Sequence, residues 1–465
     1  MTQTRADRSA DLTSGPMLQK IILFSIPLAA SSILQLLFNA ADVVVVGRFA
    51  GSTALAAVGS NGSLINLLVN LFVGLSLGAN VVAARCFGAK DEHGIQDTVH
   101  TAVTLGLTSG VLLAVVGFFA ARSLLELMSC PEDVIDLSSL YLKIYFIGMP
   151  MNMLYNFSSA LLRAVGDTKR PLYCLAAAGI INVVLNLVFV IGFSMSVAGV
   201  ALATIISETV SACLVTAMLV REKGALHLDL HKLGFHAGAL KQILLIGLPA
   251  GLQSTVFSLS NVVIQSAINS FGAAAIAGNT AAASIEGFAT TVSNSISQAA
   301  LTFSSQNMGA GKLDRIKRGY HQTMVMAKIT CAGIILLLIF AGPYAIGLFH
   351  MNEAATAIGS EYLRTLAWFF LIFCVMYITN GVLQGSGDVA YPTAGSMTSL
   401  IVRVIVANIM ATFPAIGYRS IFYSIPIGWV CGTSIVFIRY LTGKWKTKGV
   451  VRTGTQTAKE EAAHG

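Results

Sequence analysis

Charged side chains are scarce: Asp, Glu, Lys and Arg together make up 11% of the 465 residues, against 55% hydrophobic. A water-soluble domain carries about 25% charged residues because its surface must be solvated. An aqueous fold is therefore excluded, and lipid must cover most of this surface. The seven cysteines stand singly at 86, 130, 174, 213, 331, 374 and 431, without CxxC spacing, so neither a disulfide framework nor a thiolate metal site is expected. HExxH, GxSxG and P-loop patterns are missing, as are carboxylate pairs at catalytic spacing. The pattern argues against an enzyme and against ATP hydrolysis by this chain. What is abundant is glycine, 43 residues without a collagen-like period, as suits helices packed closely in a membrane.

Apolar stretches of about 20 residues, the length that crosses a bilayer, occur twelve times: 20–46, 54–84, 96–121, 139–163, 171–193, 198–220, 239–269, 278–307, 318–347, 360–384, 391–415 and 420–441. The fold class read from this is an all-α membrane protein with twelve transmembrane helices. No leader peptide is expected, because the first 16 residues are polar and carry Arg5, Asp7, Arg8 and Asp11. With the N-terminus inside, most basic residues fall in loops on that side. Five fall on the opposite side (Arg48, Arg122, Lys143, Arg364 and Arg419), and Lys328 and Arg403 lie within spans. The positive-inside rule then puts both termini in the cytoplasm. The net charge of +8 reflects topology, and nucleic acid is not an expected partner. A basic tail, 442–465, is expected to be disordered.

A repeat runs through the chain. Gly88-Ala89 and Gly309-Ala310, His100 and His321, Tyr141-Leu142 and Tyr362-Leu363, Gly166-Asp167 and Gly387-Asp388, and Pro171 and Pro392 are all separated by 221 positions. Pro27 and Pro249 are separated by 222. A duplicated six-helix unit keeps its orientation, which yields two pseudo-symmetric six-helix lobes around a central cleft. The lobes are expected at 20–220 and 239–441, after a cytoplasmic segment 1–19 and joined by a cytoplasmic linker 221–238. Two lobes with a cleft suit transport by alternating access.

Few acids lie well inside the spans: Asp42, Glu208 and Glu286. A charge there costs about 2.5–3.5 kcal/mol on the insertion scale, so a functional role is the default. Gln35, Asn39 and Asp42 follow i, i+4, i+7 spacing and form one polar stripe; Asn182 and Asn186 are i, i+4 neighbours. Asp42, Asn186 and Thr204 fall at similar depth in the outer half, with Asn182 near the centre. These hard oxygen donors could hold Na⁺. Burial also disfavours a charged Asp, so a proton site is the other reading. In the second lobe Gln253, Asn261 and Gln265 share a face without an acid. Glu286 could contact substrate, couple protons or pair with Arg403 or Lys328, and Glu208 could be structural or functional. His100 and His321 suit caps or interfaces more than proton relay. Gly74 and Gly78 read as packing, whereas Met149, Met151 and Met153 could fill a core or line an adaptable site. Pro27 would allow its helix to bend.

The segments FNAADVVVVGRFAG around Asp42, GANVVAARCFGAK, ALLRAVGDTKRP with its partner LQGSGDVAYP, and INVVLNLVFVIG together resemble the multidrug and toxic compound extrusion family, the MATE transporters, over roughly residues 15–445. The resemblance implies export of amphipathic, often cationic compounds in exchange for Na⁺ or H⁺, with no cofactor. It places the cation site on Asp42, Asn182 and Asn186, with Thr204 as fourth member. Gln35, Asn39, Gln253, Asn261, Gln265, Glu286 and Glu208 are the candidates for the substrate cavity. Some prokaryotic members carry Asp at the position of Asn186, and other branches carry a Glu in the seventh helix that Gln253, Asn261 and Gln265 do not supply. The expected protein is a monomer in the cytoplasmic membrane of a prokaryote. The alternatives are a lipid-linked oligosaccharide flippase of the wider superfamily and a membrane-embedded enzyme.

Overall fold

The computed structural model describes residues 11–448 apart from 129, 348–350 and 414. Arg5, Asp7, Arg8 and most of the expected tail, 449–465, lie outside the described residues. Among the described residues the chain is all helical. In order, the helices are α1 (Met17–Phe49), α2 (Ser52–Ala89), α3 (Glu92–Leu127), α4 (Glu132–Ile147), α5 (Met149–Ala164), α6 (Lys169–Leu187), α7 (Ser196–Arg221), α8 (Ala237–Asn269), α9 (Ala273–Gly309), α10 (Leu313–Phe340), α11 (Gly342–Gly347), α12 (Glu353–Gly385), α13 (Ala390–Ala411) and α14 (Arg419–Leu441). Ten of these are long and apolar enough to cross a membrane, and α4 with α5, bent by 49° at Gly148, forms an eleventh span. The twelfth place belongs to α9, 37 residues long, in which Thr290, Ser293, Ser297, Ser304 and Ser305 dilute the apolar content. The fourth span thus starts earlier than its apolar run and is broken where Pro150 enters helix α5. The ninth ends at Phe340, and α11 is a separate short helix.

The duplication appears in the loops as well as in the helices. Gly166 (φ 96°) and Gly387 (φ 83°) end α5 and α12 in a backbone region that needs glycine. The next amides, of Asp167 and Asp388, bond Leu162 O and Leu383 O at 3.0 and 2.9 Å. Leu162 and Leu383 are themselves 221 positions apart.

Each half contributes its first helix to both lobes. Up to and just past Pro27, α1 packs Ile21, Phe24 and Leu28 against Ala299 and Phe303 of α9. Beyond it, Phe38 lies over Gly179 of α6, and Val45 and Val46 join Val190, Val197 and Val200. α8 does the converse. Gly247 and Gly251 sit against Gly74 and Leu71 of α2, so close that a Cβ on either glycine would meet backbone. This is glycine motif on glycine motif, the packing role expected of Gly74 and Gly78. Past Pro249, Gln253 bonds Gln384 of α12 at 3.4 Å and Asn261 bonds Arg403 of α13 at 3.1 Å. Both prolines sit near the crossing point, where a missing backbone donor eases bending.

Hydrogen bonds between the lobes, among the described residues, run from Asn70–Ser258 (3.3 Å), near the middle of α2, towards the face where Leu12 meets Gln306. This is the basic face, and there the lobes close on each other. Arg85 of α2 donates to Gly385 O (3.4 Å), and Gln306 of α9 donates to Ala164 O (2.8 Å). Gly88 lies against the Gln306 backbone and Gly309 against that of Arg85.

The linker is ordered on α3. His100 Nε2 accepts from the Asp229 amide (3.2 Å), and Thr101 Oγ1 accepts from that of His236 (3.0 Å), so His100 has an interface role. The start of the expected disordered tail is a correction: Trp445 is 1% exposed and stacks on Tyr440, because its indole completes the core of the second lobe. Met149 and Met153 are fully buried in core.

Candidate cation and substrate site

Three helices build the first-lobe site. α1 is carried past Pro27 to place Asp42 opposite α6, and the Phe38 ring lies over Gly179, where a larger residue would force the helices apart. α6 presents Asn182 and Asn186 one turn apart, and a π-helical turn, Val188–Gly192, follows directly. Such turns change which residues face the neighbour and recur at functional sites. α7 adds Thr204.

A continuous polar chain joins the four. Asn186 Nδ2 donates to Asp42 Oδ1 at 2.5 Å and to Asn182 Oδ1 at 3.2 Å. Asn182 Nδ2 donates to Thr204 Oγ1 at 3.5 Å, and Thr204 donates to Val200 O at 3.0 Å. Asn186 is fully buried and Asn182 is 5% exposed. The Asn186 carbonyl oxygen is buried without a partner, an arrangement that costs about 1–3 kcal/mol unless something fills it. Turning this amide would point its oxygen at the same space as Asp42 and Asn182, and the donor set would then be all oxygen. Hard oxygen donors of this kind suit an alkali cation.

A cavity of about 90 Å³ adjoins the chain and is lined by Asp42, Asn182 and Thr204 together with Gln35, Asn39 and Glu208. Its walls also include Asn152, Tyr155 and Asn156 of α5, which sequence reasoning missed. Asn152 Nδ2 donates to Glu208 Oε1 at 2.8 Å, and Asn156 Nδ2 donates to Asn152 Oδ1 at 3.0 Å. The i, i+4 spacing of these asparagines in an apolar span was the available signal.

The second-lobe candidates are dispersed. Gln253 holds α12, Asn261 holds Arg403, and Gln265 bonds Asn269 on its own helix at 3.0 Å. Glu286 accepts from the Tyr362 hydroxyl at 2.6 Å. Its hydrogen-bond partner is therefore Tyr362 rather than Arg403, and Lys328 is exposed on α10. A larger apolar cleft, about 590 Å³, opens between α9, α10 and α11 around Phe288, Val292, Leu337 and Ala345.

The MatE family model matches residues 27–188 and again 249–409, one match in each half. The chain belongs to the MatE family. It is 28% identical over 439 residues to the probable multidrug resistance protein YoeA of Bacillus subtilis, covering 92% of this chain and 94% of that protein. It is 24% identical to the probable multidrug resistance protein NorM of Thermotoga maritima, covering 93% and 94%. Among solved structures, an outward-facing multidrug resistance MATE transporter of the MOP superfamily superposes with a TM-score of 0.89 at 22% identity, covering 96% of this chain and 100% of that one. A MATE structure in a bent conformation gives the same TM-score over 97% and 100%. The MatE chain shares their two-lobed helical fold, and the family is one of transporters rather than enzymes.

Proposed function

We propose that this MatE chain is a secondary active exporter of amphipathic, often cationic compounds, driven by Na⁺ or H⁺ entering at Asp42, Asn182 and Asn186 with Thr204. The reading rests above all on the polar chain that ends at Asp42: an acid held by Asn186, which Asn182 orients, with an amide oxygen left open and, among the described residues, no basic side chain lining the adjoining cavity. The basic face is cytoplasmic on this reading, with both termini there, in the cytoplasmic membrane of a prokaryote. The lobes are 20–220 and 239–441, and the chain acts as a monomer. Gln35 and Asn39, two turns and one turn before Asp42, would link the cation site to the drug pathway. Pro27 lets α1 shift between its two packing partners as Asp42 gains or loses charge.

The test is efflux of a fluorescent cation from proteoliposomes under separately imposed Na⁺ and H⁺ gradients. Efflux that follows one imposed gradient and disappears in Asp42→Asn supports the proposal. Efflux indifferent to both gradients overturns it.

A further inference from the structure

Glu208 is set into the same cavity as Asp42 by separate machinery. It lies one turn beyond Thr204 on α7, and its carboxylate is held from α5 rather than α6. Asn152 bonds Oε1 at 2.8 Å. Asn152 is itself fixed by Asn156, which donates to its side-chain oxygen at 3.0 Å and its backbone oxygen at 2.9 Å. The arrangement repeats the logic of Asn182, Asn186 and Asp42, an acid presented by one asparagine that a second asparagine orients. Glu208 Oε2 is buried and has no hydrogen-bond partner.

Nothing in the cavity neutralises two acids. Among the described residues no Lys, Arg or His lines it, and α6 contributes only Leu175, Ala178, Gly179 and Asn182. The other titratable groups within electrostatic reach are hydroxyls: Tyr155 on the wall, and Tyr141 and Tyr145 of α4, which sense both Asp42 and Glu208. Two carboxylates in one low-dielectric space do not both stay ionised and empty, since burial and like charge both oppose it. The volume also constrains the occupant. About 90 Å³ is room for a few waters and well below the roughly 300 Å³ at which drug-sized pockets begin. The cavity suits a cation, or a proton with its waters, better than a drug.

We infer that Glu208 is a second cation-accepting carboxylate of the first lobe, so that one export cycle takes up two monovalent cations, one at Asp42 and one at Glu208. The inference rests on the export reading above and adds a stoichiometry to it. In each event a carboxylate oxygen gains either a proton or an electrostatic bond to Na⁺, and both cations leave to the cytoplasmic side when the lobes reverse.

The steady-state drug ratio across proteoliposomes, measured at zero membrane potential against the imposed ratio of the coupling cation, gives the number of cations per drug as a logarithmic slope. The expected slope is two in the wild type and one in Glu208→Gln, with Glu208→Asp restoring a value above one. A wild-type slope of one overturns this inference while leaving export intact. A wild type that sustains no drug gradient overturns the export reading and this inference with it. A slope of two retained in Glu208→Gln assigns the second cation elsewhere and also overturns it. If Glu208→Gln does not insert, Asn152→Ala, which removes the donor to Glu208 Oε1, decides: a slope below two supports the inference and an unchanged slope of two overturns it.

Discussion

Arg85 and Gln306 stand 221 positions apart in the chain and make the same contact in opposite directions. Arg85 reaches from the first half to Gly385 O in the second, and Gln306 from the second half to Ala164 O in the first. Ala164 and Gly385 are themselves 221 apart, as are Gly88 and Gly309, which seat the two latches. The closed basic face is a pseudo-twofold clasp. It is chemically unequal, because Arg85 is 7% exposed and its Nε has no partner, so the clasp buries a charge on one side only.

Arg85→Gln, which copies the opposite latch, keeps a donor for Gly385 O and removes that charge. Closure of the basic face should become more favourable by about tenfold or more, about 1.4 kcal/mol. Distances between spin labels on the basic ends of α2 and α12 should shift to the short population, and turnover should slow. Gly309→Leu should do the reverse, since its side chain would meet the Arg85 backbone.

The segment before α1 ties into the same clasp. Leu12 is buried, its amide donates to Gln306 Oε1 at 2.9 Å, and its carbonyl accepts from Asn307 and Arg315 at 3.3 Å each. Burial pushes the Asp11 carboxyl up, but hydrogen bonds from the Thr13 and Ser14 hydroxyls and the Thr13 amide outweigh it, so the group sits below its usual range. A lowered value means that its stabilisation is complete above the ordinary carboxylate range, about pH 4, and is lost as pH falls through the lowered value. Asp11→Ala should therefore produce at neutral pH the loosening that the wild type shows only in strong acid. Faster hydrogen exchange in residues 11–16 reads it out.

Glu286 and Tyr362 form a partly buried carboxyl–phenol pair in the second lobe. Tyr362→Phe removes the one hydrogen-bond donor shown to this acid and should cost about 1–3 kcal/mol in stability, lowering Tm with similar effects on cationic and neutral drugs. Were Glu286 instead a drug contact, Glu286→Gln would impair cationic drugs far more than neutral ones at unchanged Tm.

Pro27→Ala restores a backbone donor where α1 leaves α9 for α6. The straightened helix should hold one packing arrangement, so coupling between cation and drug should fall several-fold while cation affinity in isolation changes little. Binding of each ligand in the presence and absence of the other measures this coupling.

The fold was legible because its signals are long. Twelve apolar runs and a 221-residue repeat survive any single ambiguous residue. Asp42, Asn182, Asn186 and Thr204 were legible because a polar side chain inside an apolar span stands out, and the structure brings all four into one hydrogen-bonded chain. What hydropathy could not show is which helices touch. It therefore missed the exchange of α1 and α8 between lobes and the Tyr362 partner of Glu286. It also missed the Asn152 and Asn156 support of Glu208, hidden beside the more conspicuous Met149, Pro150 and Met151. Arg85 and Gln306 escaped notice because residues near span ends read as ordinary boundary polarity. Their pairing emerges only when the repeat is followed into space.

The central claim is that cation occupancy at Asp42 and drug occupancy oppose each other. The most direct measurement is drug affinity across a range of Na⁺ concentrations and pH values, in the wild type and in Asp42→Asn. The account predicts that affinity in the wild type falls as the coupling cation rises, that the drug weakens cation binding by the same factor, and that Asp42→Asn loses most of this response while still inserting normally, keeping at most the share that Glu208 carries. Wild-type affinity independent of both Na⁺ and pH would contradict it.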